Sequence, residues 1–262
     1  MIEMSDEQLK QEVREYWNAN PCGTQFTHLQ RGSKEFYEEV ERFRYETQPF
    51  MRRVMEFDAF EGKKLLEIGC GLGTDLLQFA RGGAQVTGVD LTPASVELVK
   101  RRFKLYDLPV EARVADAERL PFDDNSFDVV YSFGVLHHTP NTPKAVDEVY
   151  RVLKPGGRII IMLYHKSSMH VTLGTLYAAM AGISGNGGDA KENWVRIYDG
   201  DGNPLGKAYT RSEVERMFRN FKNLRLTTVD PYRRKLPKVA NVLNQALFAW
   251  WWGFWLVIKG TK

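Results

Sequence analysis

The apolar residues in the middle of the chain change spacing in a regular way. Short apolar runs that end in glycine or aspartate are followed by stretches such as Leu76, Leu77 and Ala80, which have helical spacing. Thr92–Pro93 and Thr142–Pro143 are typical helix starts, because the hydroxyl caps the helix and the proline needs no hydrogen-bond partner there. The pattern predicts strands at 64–69, 85–90, 110–115, 127–133 and 158–164, with helices between them.

Strands that alternate with helices in this way form a mostly parallel sheet with right-handed crossovers. We therefore predict an α/β fold of the doubly wound, Rossmann-like type, with helices on both faces of the sheet. Ligands of such sheets bind beyond the carboxyl ends of the strands, so we expect the functional residues at those ends.

The composition excludes several classes of protein. The chain has 262 residues, 43% of them hydrophobic and 26% charged, with a formal net charge of +3. These values are ordinary for one large folded domain, and the small positive excess does not indicate a nucleic-acid partner. The two cysteines cannot form a multi-bridge disulfide framework, and the charged N-terminus lacks the apolar core of a signal peptide. We therefore expect a cytoplasmic protein.

The first predicted strand ends in the loop LLEIGCGLGTD, residues 65–75. Its glycines Gly69, Gly71 and Gly73 allow a tight turn and a close approach of the backbone to a ligand. The dinucleotide fingerprint G-x-G-x-x-G is absent, because Thr74 stands where its last glycine would be. Asp90 ends the next strand, where a carboxylate can accept hydrogen bonds from both ribose hydroxyls of a nucleoside.

The glycine loop, Asp90 and the segment VADAERLPFDDNSFDVVYSFGVLHH, residues 114–138, together resemble the class I S-adenosylmethionine-dependent methyltransferases. The resemblance is to the small-molecule group that includes ubiquinone and menaquinone C-methyltransferases, which carry the methyltransferase type 11 domain. It extends from about Leu65 to Leu163 and is specific for fold and cofactor. It implies a seven-stranded class I sheet that binds S-adenosyl-L-methionine.

The resemblance also implies which residues meet the cofactor. Asp90 would bind the ribose and Asp116 the adenine amino group, while the three loop glycines would hold the methionine part. Leu91 would pack on the adenine ring, and Phe133 would lie near the sulfonium. The full set of predicted cofactor-binding residues is Glu67, Gly69, Gly71, Gly73, Asp90, Leu91, Asp116, Ala117 and Phe133.

Two adjacent histidines, His137 and His138, follow the fourth predicted strand. Metal binding is not expected, because consecutive side chains diverge and no set of cysteines or carboxylates with ligand spacing accompanies them. His138 matches a histidine that serves in proton transfer in some members of the family, and an imidazole suits that role. The alternative is a structural hydrogen bond to the backbone where the chain turns towards Thr142. His137 is the second candidate for contact with the acceptor.

The resemblance divides the chain into four parts. Residues 61–165 would form the cofactor-binding core, and 1–60 a helical lid over it. Residues 166–209 would form an insertion on the substrate side, and 210–262 would complete the sheet. The aromatic candidates to line the lid are Tyr16, Trp17, Tyr37 and Tyr45.

The insertion contains the sequence DGDGNP, residues 199–204, which imitates the start of a calcium-binding loop. Pro204 stands where that loop needs glycine, and Thr210 stands where it needs glutamate. We therefore predict a hairpin turn between 194–198 and 206–209 and no metal site.

The C-terminal part combines basic residues with tryptophans. A helix is predicted over 237–252 and a final strand over 254–259. Three consecutive tryptophans at 250–252 follow the basic residues at 233–235. Because tryptophan beside lysine and arginine is favoured at membrane interfaces, we predict a peripheral contact with anionic lipid in this region.

The predicted function is transfer of a methyl group from S-adenosyl-L-methionine to a small-molecule acceptor, aromatic or apolar in character. Two alternatives remain open. One is a methyltransferase that acts on RNA or protein, which the modest net charge disfavours. The other is a protein that binds the cofactor without methyl transfer, which the intact glycine loop and acidic residues disfavour.

Overall fold

The computed structural model describes residues 4–180, 199, 202–229 and 252–262. The strands are β1 (Lys64–Ile68), β2 (Gln85–Asp90), β3 (Glu111–Val114), β4 (Phe127–Phe133), β5 (Leu153–His165), β6 (Ala208–Tyr209), β7 (Lys222–Val229) and β8 (Trp255–Thr261). The helices are α1 (Asp6–Ala19), α2 (Lys34–Thr47), α3 (Met51–Val54), α4 (Thr74–Arg81), α5 (Pro93–Leu105), α6 (Thr142–Val152), α7 (Met169–Met180) and α8 (Arg211–Met217). Short 3₁₀ helices span Thr24–Phe26 and Leu136–His138.

The strands form one sheet in the order β3-β2-β1-β4-β5-β8-β7, with the two-residue β6 also paired to β5. The pairs from β3 to β5 are parallel, as the alternation of strands and helices predicts. β8 runs antiparallel between β5 and β7. The predicted Rossmann-like class I sheet is confirmed, and β6 is an addition to its seven strands.

Alternate residues of each central strand enter different cores. In β1, Leu65 packs into the cluster on one face of the sheet, and Leu66 packs into the cluster on the other face. Val129 and Val130 divide in the same way in β4. Successive side chains of a strand point to opposite faces, so a sheet with two buried faces needs helices on both sides. The apolar runs of the sequence reflect this double burial.

Of the two capping signals read from the sequence, one is confirmed and one is wrong. Thr92 caps α5 by accepting a hydrogen bond from the N–H of Ser95, and proline follows it in the first turn. The expectation that Thr142 caps α6 is wrong. Asn141 caps this helix, because its side chain accepts from the N–H of Lys144. Thr142 is fully buried and donates its hydroxyl to the carbonyl oxygen of Leu136.

The predicted hairpin of the insertion and the predicted C-terminal helix fall partly outside the described residues. One arm of the predicted hairpin, at 206–209, contains β6, which pairs in parallel with β5 through Tyr164 with Ala208. Residues 194–198, the other arm of that hairpin, lie outside the described residues. So do the basic residues at 233–235 and most of the predicted helix 237–252, including two of its three tryptophans. The predicted lipid contact falls on that part of the chain.

Candidate functional site

A cavity of about 900 Å³ lies beyond the carboxyl ends of the central strands, between the sheet and the helices α1 and α2. This is where ligands of parallel α/β sheets bind. Its volume is near the upper end of the range of about 300–1,000 Å³ for ligand pockets, which leaves room for a cofactor and an acceptor together. Five carboxylates and three cationic side chains line it, so its walls favour a positively charged ligand: Glu67, Asp75, Asp90, Asp116, Asp199, Lys10, Arg31 and Arg44.

The glycine loop after β1 adopts a conformation that requires glycine. Gly69, Gly71 and Gly73 have positive φ angles of 77°, 51° and 68°. A Cβ atom at Gly69 would lie 2.1 Å from Cγ2 of Val135, whereas one at Gly71 would meet no atom within 4 Å. Gly69 and Gly71 line the cavity, while Gly73 packs towards Val99 and is absent from the lining. The loop backbone therefore forms a wall that a ligand can approach closely.

Asp90 lies at the end of β2 and holds this loop in place. Its Oδ2 accepts the N–H of Gly71 at 3.0 Å, and its Oδ1 accepts both the N–H and the hydroxyl of Thr92. Burial raises the pKa of Asp90, although the hydrogen bonds from Thr92 and Gly71 act in the opposite direction. Asp90 and the adjacent Leu91 both line the cavity.

Glu67 is a buried acid with an unsatisfied oxygen. It is 4% exposed, lines the cavity, and its Oε2 has no hydrogen-bond partner among the described residues. Burial raises its pKa well above the usual value, and the neighbouring charge of Asp75 adds to this effect while Arg44 opposes it. Because an unpaired buried carboxyl is costly, this oxygen is suited to a hydrogen-bond donor or a cation of a ligand.

Asp116 follows β3 and lies at another wall of the cavity, beside Ala117. Its Oδ1 accepts the N–H of Glu118 at 2.9 Å, and its Oδ2 accepts from Nζ of Lys10 at 2.7 Å. Lys10 belongs to α1, 106 positions earlier in the chain, and sequence reasoning did not identify it. No local signal distinguishes it from the other lysines.

Aromatic side chains form the rest of the cavity wall near Phe133. The ring of Phe133 contacts that of Trp255 edge-on, with 5.5 Å between centroids, and the Arg44 guanidinium lies 4.9 Å from its centroid. Tyr164 stacks on Phe254 at 4.6 Å. All five residues line the cavity. Of them, only Phe133 was predicted as a site residue, because the others come from distant parts of the chain that meet only in the fold.

His138 and Asp199 face each other at the cavity. Nδ1 of His138 donates to the carbonyl oxygen of Leu205 at 2.5 Å, and its Nε2 lies 3.7 Å from Oδ2 of Asp199. Oδ1 of Asp199 accepts the hydroxyl of Tyr164 at 2.8 Å, and its backbone oxygen accepts the hydroxyl of Tyr16 at 2.9 Å. Burial raises the pKa of Asp199, although the charge of His138 and the hydrogen bond from Tyr164 lower it.

His137 occupies a different environment from its neighbour. It is fully buried, is absent from the cavity lining, and its ring lies 3.8 Å from the ring of Tyr164. Neither ring nitrogen has a hydrogen-bond partner in the part of the chain that the structure describes. Burial lowers the pKa of His137 well below 6.5, and the charge of His138 lowers it further. The imidazole of His137 is therefore neutral in the fold.

The four aromatic candidates for the lid divide into two pairs. Tyr16 and Trp17 line the cavity, and the ring of Trp17 contacts the ring of His138 edge-on at 5.5 Å. Tyr37 and Tyr45 are absent from its lining, because both are buried in packing contacts. The hydroxyl of Tyr37 donates to the backbone oxygen of Leu98.

The polar atoms of the cavity lining suit a ligand such as S-adenosyl-L-methionine. Three buried polar atoms of its lining lack partners among the described residues: Oε2 of Glu67, Oε1 of Gln48 and Nε1 of Trp255. A ligand with both donors and acceptors would satisfy them. The described residues contain no group of three or more His, Cys, Asp or Glu that could hold a metal ion. Within the same residues, no helix has the length and hydropathy needed to cross a bilayer.

Comparison with known proteins assigns the central region to a family. Residues 66–161 match the family described as "Methyltransferase domain". The chain is 38% identical over 103 residues to sterol 4-C-methyltransferase strm-1 of Caenorhabditis elegans, which is 38% of this chain and 31% of that protein. It is 45% identical over 101 residues to demethylmenaquinone methyltransferase of Clavibacter sepedonicus, which is 38% of this chain and 40% of that protein. The chain thus spans about a third of the length of these curated relatives.

Solved structures resemble the whole chain. Haemonchus contortus phosphoethanolamine N-methyltransferase 2, in complex with S-adenosyl-L-methionine, has a TM-score of 0.61 at 19% identity, covering 95% of this chain and 60% of that one. The [4+2]-cyclase SpnF has a TM-score of 0.59 at 20% identity, covering 100% of this chain and 97% of that one. At these identities the likeness shows the fold alone.

Proposed function

Because the chain carries a class I, S-adenosylmethionine-dependent methyltransferase domain, we propose that the protein transfers a methyl group from S-adenosyl-L-methionine to a small, largely apolar molecule. One observation supports this most strongly. The glycine loop, Asp90 and Asp116 share a single cavity with an aromatic wall and with His138. The cavity therefore offers a polar part for the cofactor and an apolar part for an acceptor.

In this proposal the polar part of the cavity holds the cofactor along the ends of β1, β2 and β3. Asp90 accepts the ribose hydroxyls, and Asp116 accepts the adenine amino group. The unpaired Oε2 of Glu67 and the backbone of Gly69 and Gly71 hold the methionine part. Leu91 and Ala117 pack against the adenine ring, and Phe133 lies next to the reacting methyl group. Gly73 acts indirectly, by shaping the loop.

When bound, S-adenosyl-L-methionine supplies a methyl group already activated by its sulfonium. The protein then has to align an acceptor atom behind that methyl group and exclude water, which gains rate by proximity and orientation. Phe133, Phe254 and Trp255 are suited to both tasks, because their rings are large, rigid and apolar. Each is less than half exposed and lines the cavity.

The aromatic wall favours an acceptor with an apolar body and a single polar reacting group. Trp255 offers a free N–H donor there among the described residues, and Gln48 offers an acceptor oxygen. The names of the relatives point the same way, since a sterol and a demethylated quinone are both apolar molecules with oxygen substituents. An RNA acceptor is disfavoured, because acidic side chains outnumber basic ones in the cavity lining, five to three, whereas phosphates are bound by basic groups.

His138 is placed to receive the proton that such an acceptor loses. Since Nδ1 donates to the Leu205 carbonyl, the neutral ring keeps its lone pair on Nε2. The carboxylate of Asp199 lies 3.7 Å from that nitrogen and would stabilise the imidazolium. The alternative role is structural, since the same Nδ1 contact fixes the backbone near Leu205. We assign His137 no contact with the acceptor, since it is fully buried and absent from the cavity lining.

We further propose that the chain is divided as the resemblance implies. Residues 1–60 would cover the core at 61–165, since Tyr16, Trp17 and Phe43 line the cavity from α1 and α2. The insertion at 166–209 would contribute Asp199 to the acceptor side, and the remainder at 210–262 would complete the sheet with β7 and β8.

Two measurements test the proposed function on the full chain. Titration calorimetry with S-adenosylhomocysteine should show binding that Asp90→Ala weakens. Transfer of a labelled methyl group should then be measured with three acceptors: a demethylated quinone, a sterol and phosphoethanolamine. We expect transfer to one of the first two. The absence of S-adenosylhomocysteine binding would overturn the cofactor assignment, and transfer to phosphoethanolamine alone would overturn the acceptor class.

A further inference from the structure

One face of α1 forms a wall of the cavity. The residues of this face that line the cavity are Lys10, Val13, Trp17 and Asn20. The last three lie three, seven and ten positions after Lys10, which places all four on one side of a helix. Trp17 lies at the acceptor end, next to His138, and Lys10 lies at the adenine end, next to Asp116. α1 therefore extends across both parts of the cavity.

Lys10 is a buried cation with three carboxylate contacts. The residue is only 9% exposed. Its Nζ lies 2.7 Å from Oδ2 of Asp116, 3.2 Å from Oε2 of Glu118 and 3.3 Å from Oε1 of Glu7. Burial would lower its pKa, but the hydrogen bonds and charges of Asp116 and Glu118 outweigh that effect and raise it. Lys10 therefore stays charged, and its contacts persist across the physiological pH range.

Glu118 makes this contact a rigid one. It is 4% exposed, and its Oε1 accepts both the hydroxyl of Thr139 and the N–H of Asn141, the latter at 2.8 Å. Lys10 thus joins α1 to the loop after β3 through Asp116, and to the loop after β4 through Glu118.

In the part of the chain that the structure describes, the Lys10 end of α1 has little other attachment. Apart from Lys10, Val13 is its one buried residue, and an isolated helix of this length is only marginally stable in water. Among the described residues, further contacts fasten it near its C-terminal end: the Tyr16 hydroxyl donates to the Asp199 backbone, the Ala94 N–H donates to the Asn18 side chain, and the Trp17 ring contacts that of His138. Much of what holds α1 over the adenine end is therefore the Lys10 ion pair.

We propose that Lys10 is a positioning residue for the cofactor, which fastens α1 over the adenine end of the cavity and so couples closure of this helix to cofactor binding. The inference rests on the proposed function, because it takes Asp116 as the acid that meets adenine. Asp116 would then accept hydrogen bonds from Lys10 and from the adenine amino group at once, since each carboxylate oxygen can accept more than one hydrogen bond. Coupling of this kind is reciprocal, so the cofactor should also hold α1 in place.

The test combines two readouts on Lys10→Met, which keeps the length of the side chain and removes its charge. Amide hydrogen exchange of residues 8–19 should be faster in the free variant than in the free wild type, because α1 opens more often. If the closed helix falls to about a tenth of the population, the dissociation constant of S-adenosylhomocysteine should rise about tenfold. Saturating S-adenosylhomocysteine should slow the exchange of α1 in both proteins, because the ligand binds the closed helix.

Two further variants separate this role from a general loss of structure. Lys10→Arg keeps the charge and can still reach the carboxylates of Asp116 and Glu118. Its affinity for S-adenosylhomocysteine should therefore stay within about threefold of the wild type. Lys100→Met, which removes an exposed lysine paired with Glu97 on α5, should change neither readout. Unchanged exchange and affinity in Lys10→Met would overturn the inference, as would tighter binding, which would mean that Lys10 competes with adenine for Asp116. A wild type that binds no S-adenosylhomocysteine would instead contradict the proposed function.

Discussion

Arg44 and Asp75 form a two-pronged ion pair at the cavity, with 2.8 Å between Nε and Oδ1 and 2.5 Å between Nη2 and Oδ2. The pair joins α2 to the first turn of α4. The hydroxyls of Tyr45 and Tyr131 donate to the same carboxylate at 2.9 Å and 2.7 Å. Asp75 is 3% exposed, so this carboxylate is a buried acceptor with all its partners in place.

Asp75→Asn should destabilise the protein strongly, because it leaves the Arg44 guanidinium without a counter-charge. Removing one partner of a buried ion pair typically costs about 3–5 kcal/mol in the free energy of unfolding. Urea denaturation followed by circular dichroism measures the loss. Asp123→Asn, which changes an exposed carboxylate, serves as the control. A loss below about 1 kcal/mol would show that the pair is no stronger than a surface ion pair.

Gly69→Ala and Gly71→Ala should differ in their effects. Both place a side chain at positive φ, which costs roughly 1–2 kcal/mol. Only the methyl group at Gly69 also collides with Val135, at 2.1 Å. Gly69→Ala should therefore lower the thermal midpoint more, and Val135→Ala in the same chain should recover part of the loss. Gly71→Ala should mainly weaken S-adenosylhomocysteine binding, because its methyl group projects into open space at the cavity. Equal thermal midpoints for the two variants would contradict this assignment.

Asp90→Ala should weaken the binding of S-adenosylhomocysteine. The expected loss is about 1.5–3 kcal/mol per charged hydrogen bond, which corresponds to a rise of about 10- to 150-fold in the dissociation constant. The variant also frees the N–H groups of Gly71 and Thr92, so the glycine loop loses its anchor. Titration calorimetry compares it with Glu97→Ala, which removes an exposed acid on α5. Equal affinities would remove Asp90 from the cofactor site.

His138→Gln should lower the turnover number without weakening cofactor binding. Loss of a general base typically reduces the rate by about 10²- to 10⁴-fold. The measurement is methyl transfer to the acceptor found among the quinone, sterol and phosphoethanolamine tested above. The affinity for S-adenosylhomocysteine is recorded for the same protein. The control is His28→Gln, which replaces an exposed histidine far from His138 in the sequence. Full activity in His138→Gln would assign His138 the structural role.

The burial of His137 should make the stability of the protein depend on pH. Because burial lowers the pKa of His137 in the folded state, the unfolded chain binds a proton there below pH 6.5 while the folded chain does not. The free energy of unfolding should therefore fall as the pH falls below 6.5, by about 1.4 kcal/mol per pH unit for this residue.

His137→Phe keeps a ring against Tyr164 and cannot titrate. Chemical denaturation at pH 7, 6 and 5 should show a smaller loss of stability in this variant than in the wild type. Parallel losses in the two proteins would mean that His137 is protonated in the fold or that other groups dominate the acid sensitivity.

The sequence by itself determined the features that depend on near neighbours along the chain. The strand β4 begins and ends where the apolar pattern predicts, and α4 contains Leu76, Leu77 and Ala80, whose spacing predicts a helix. The positive φ angles of the loop occur at glycines, which adopt them most readily, and the position of Asp90 follows from the end of its strand. These features are local, so a short stretch of sequence contains most of the interactions that decide them.

Tertiary structure alone decided which distant residues share the cavity. Lys10 and Asp116 are 106 positions apart, and Arg44 and Asp75 are 31 positions apart, so no spacing rule relates them. His137 and His138 are adjacent in sequence, yet one ring is buried against Tyr164 and the other lines the cavity. Their environments depend on how α1, the sheet and the insertion pack together. That packing is set by burial of apolar surface summed over the whole domain, which no single segment of the chain encodes.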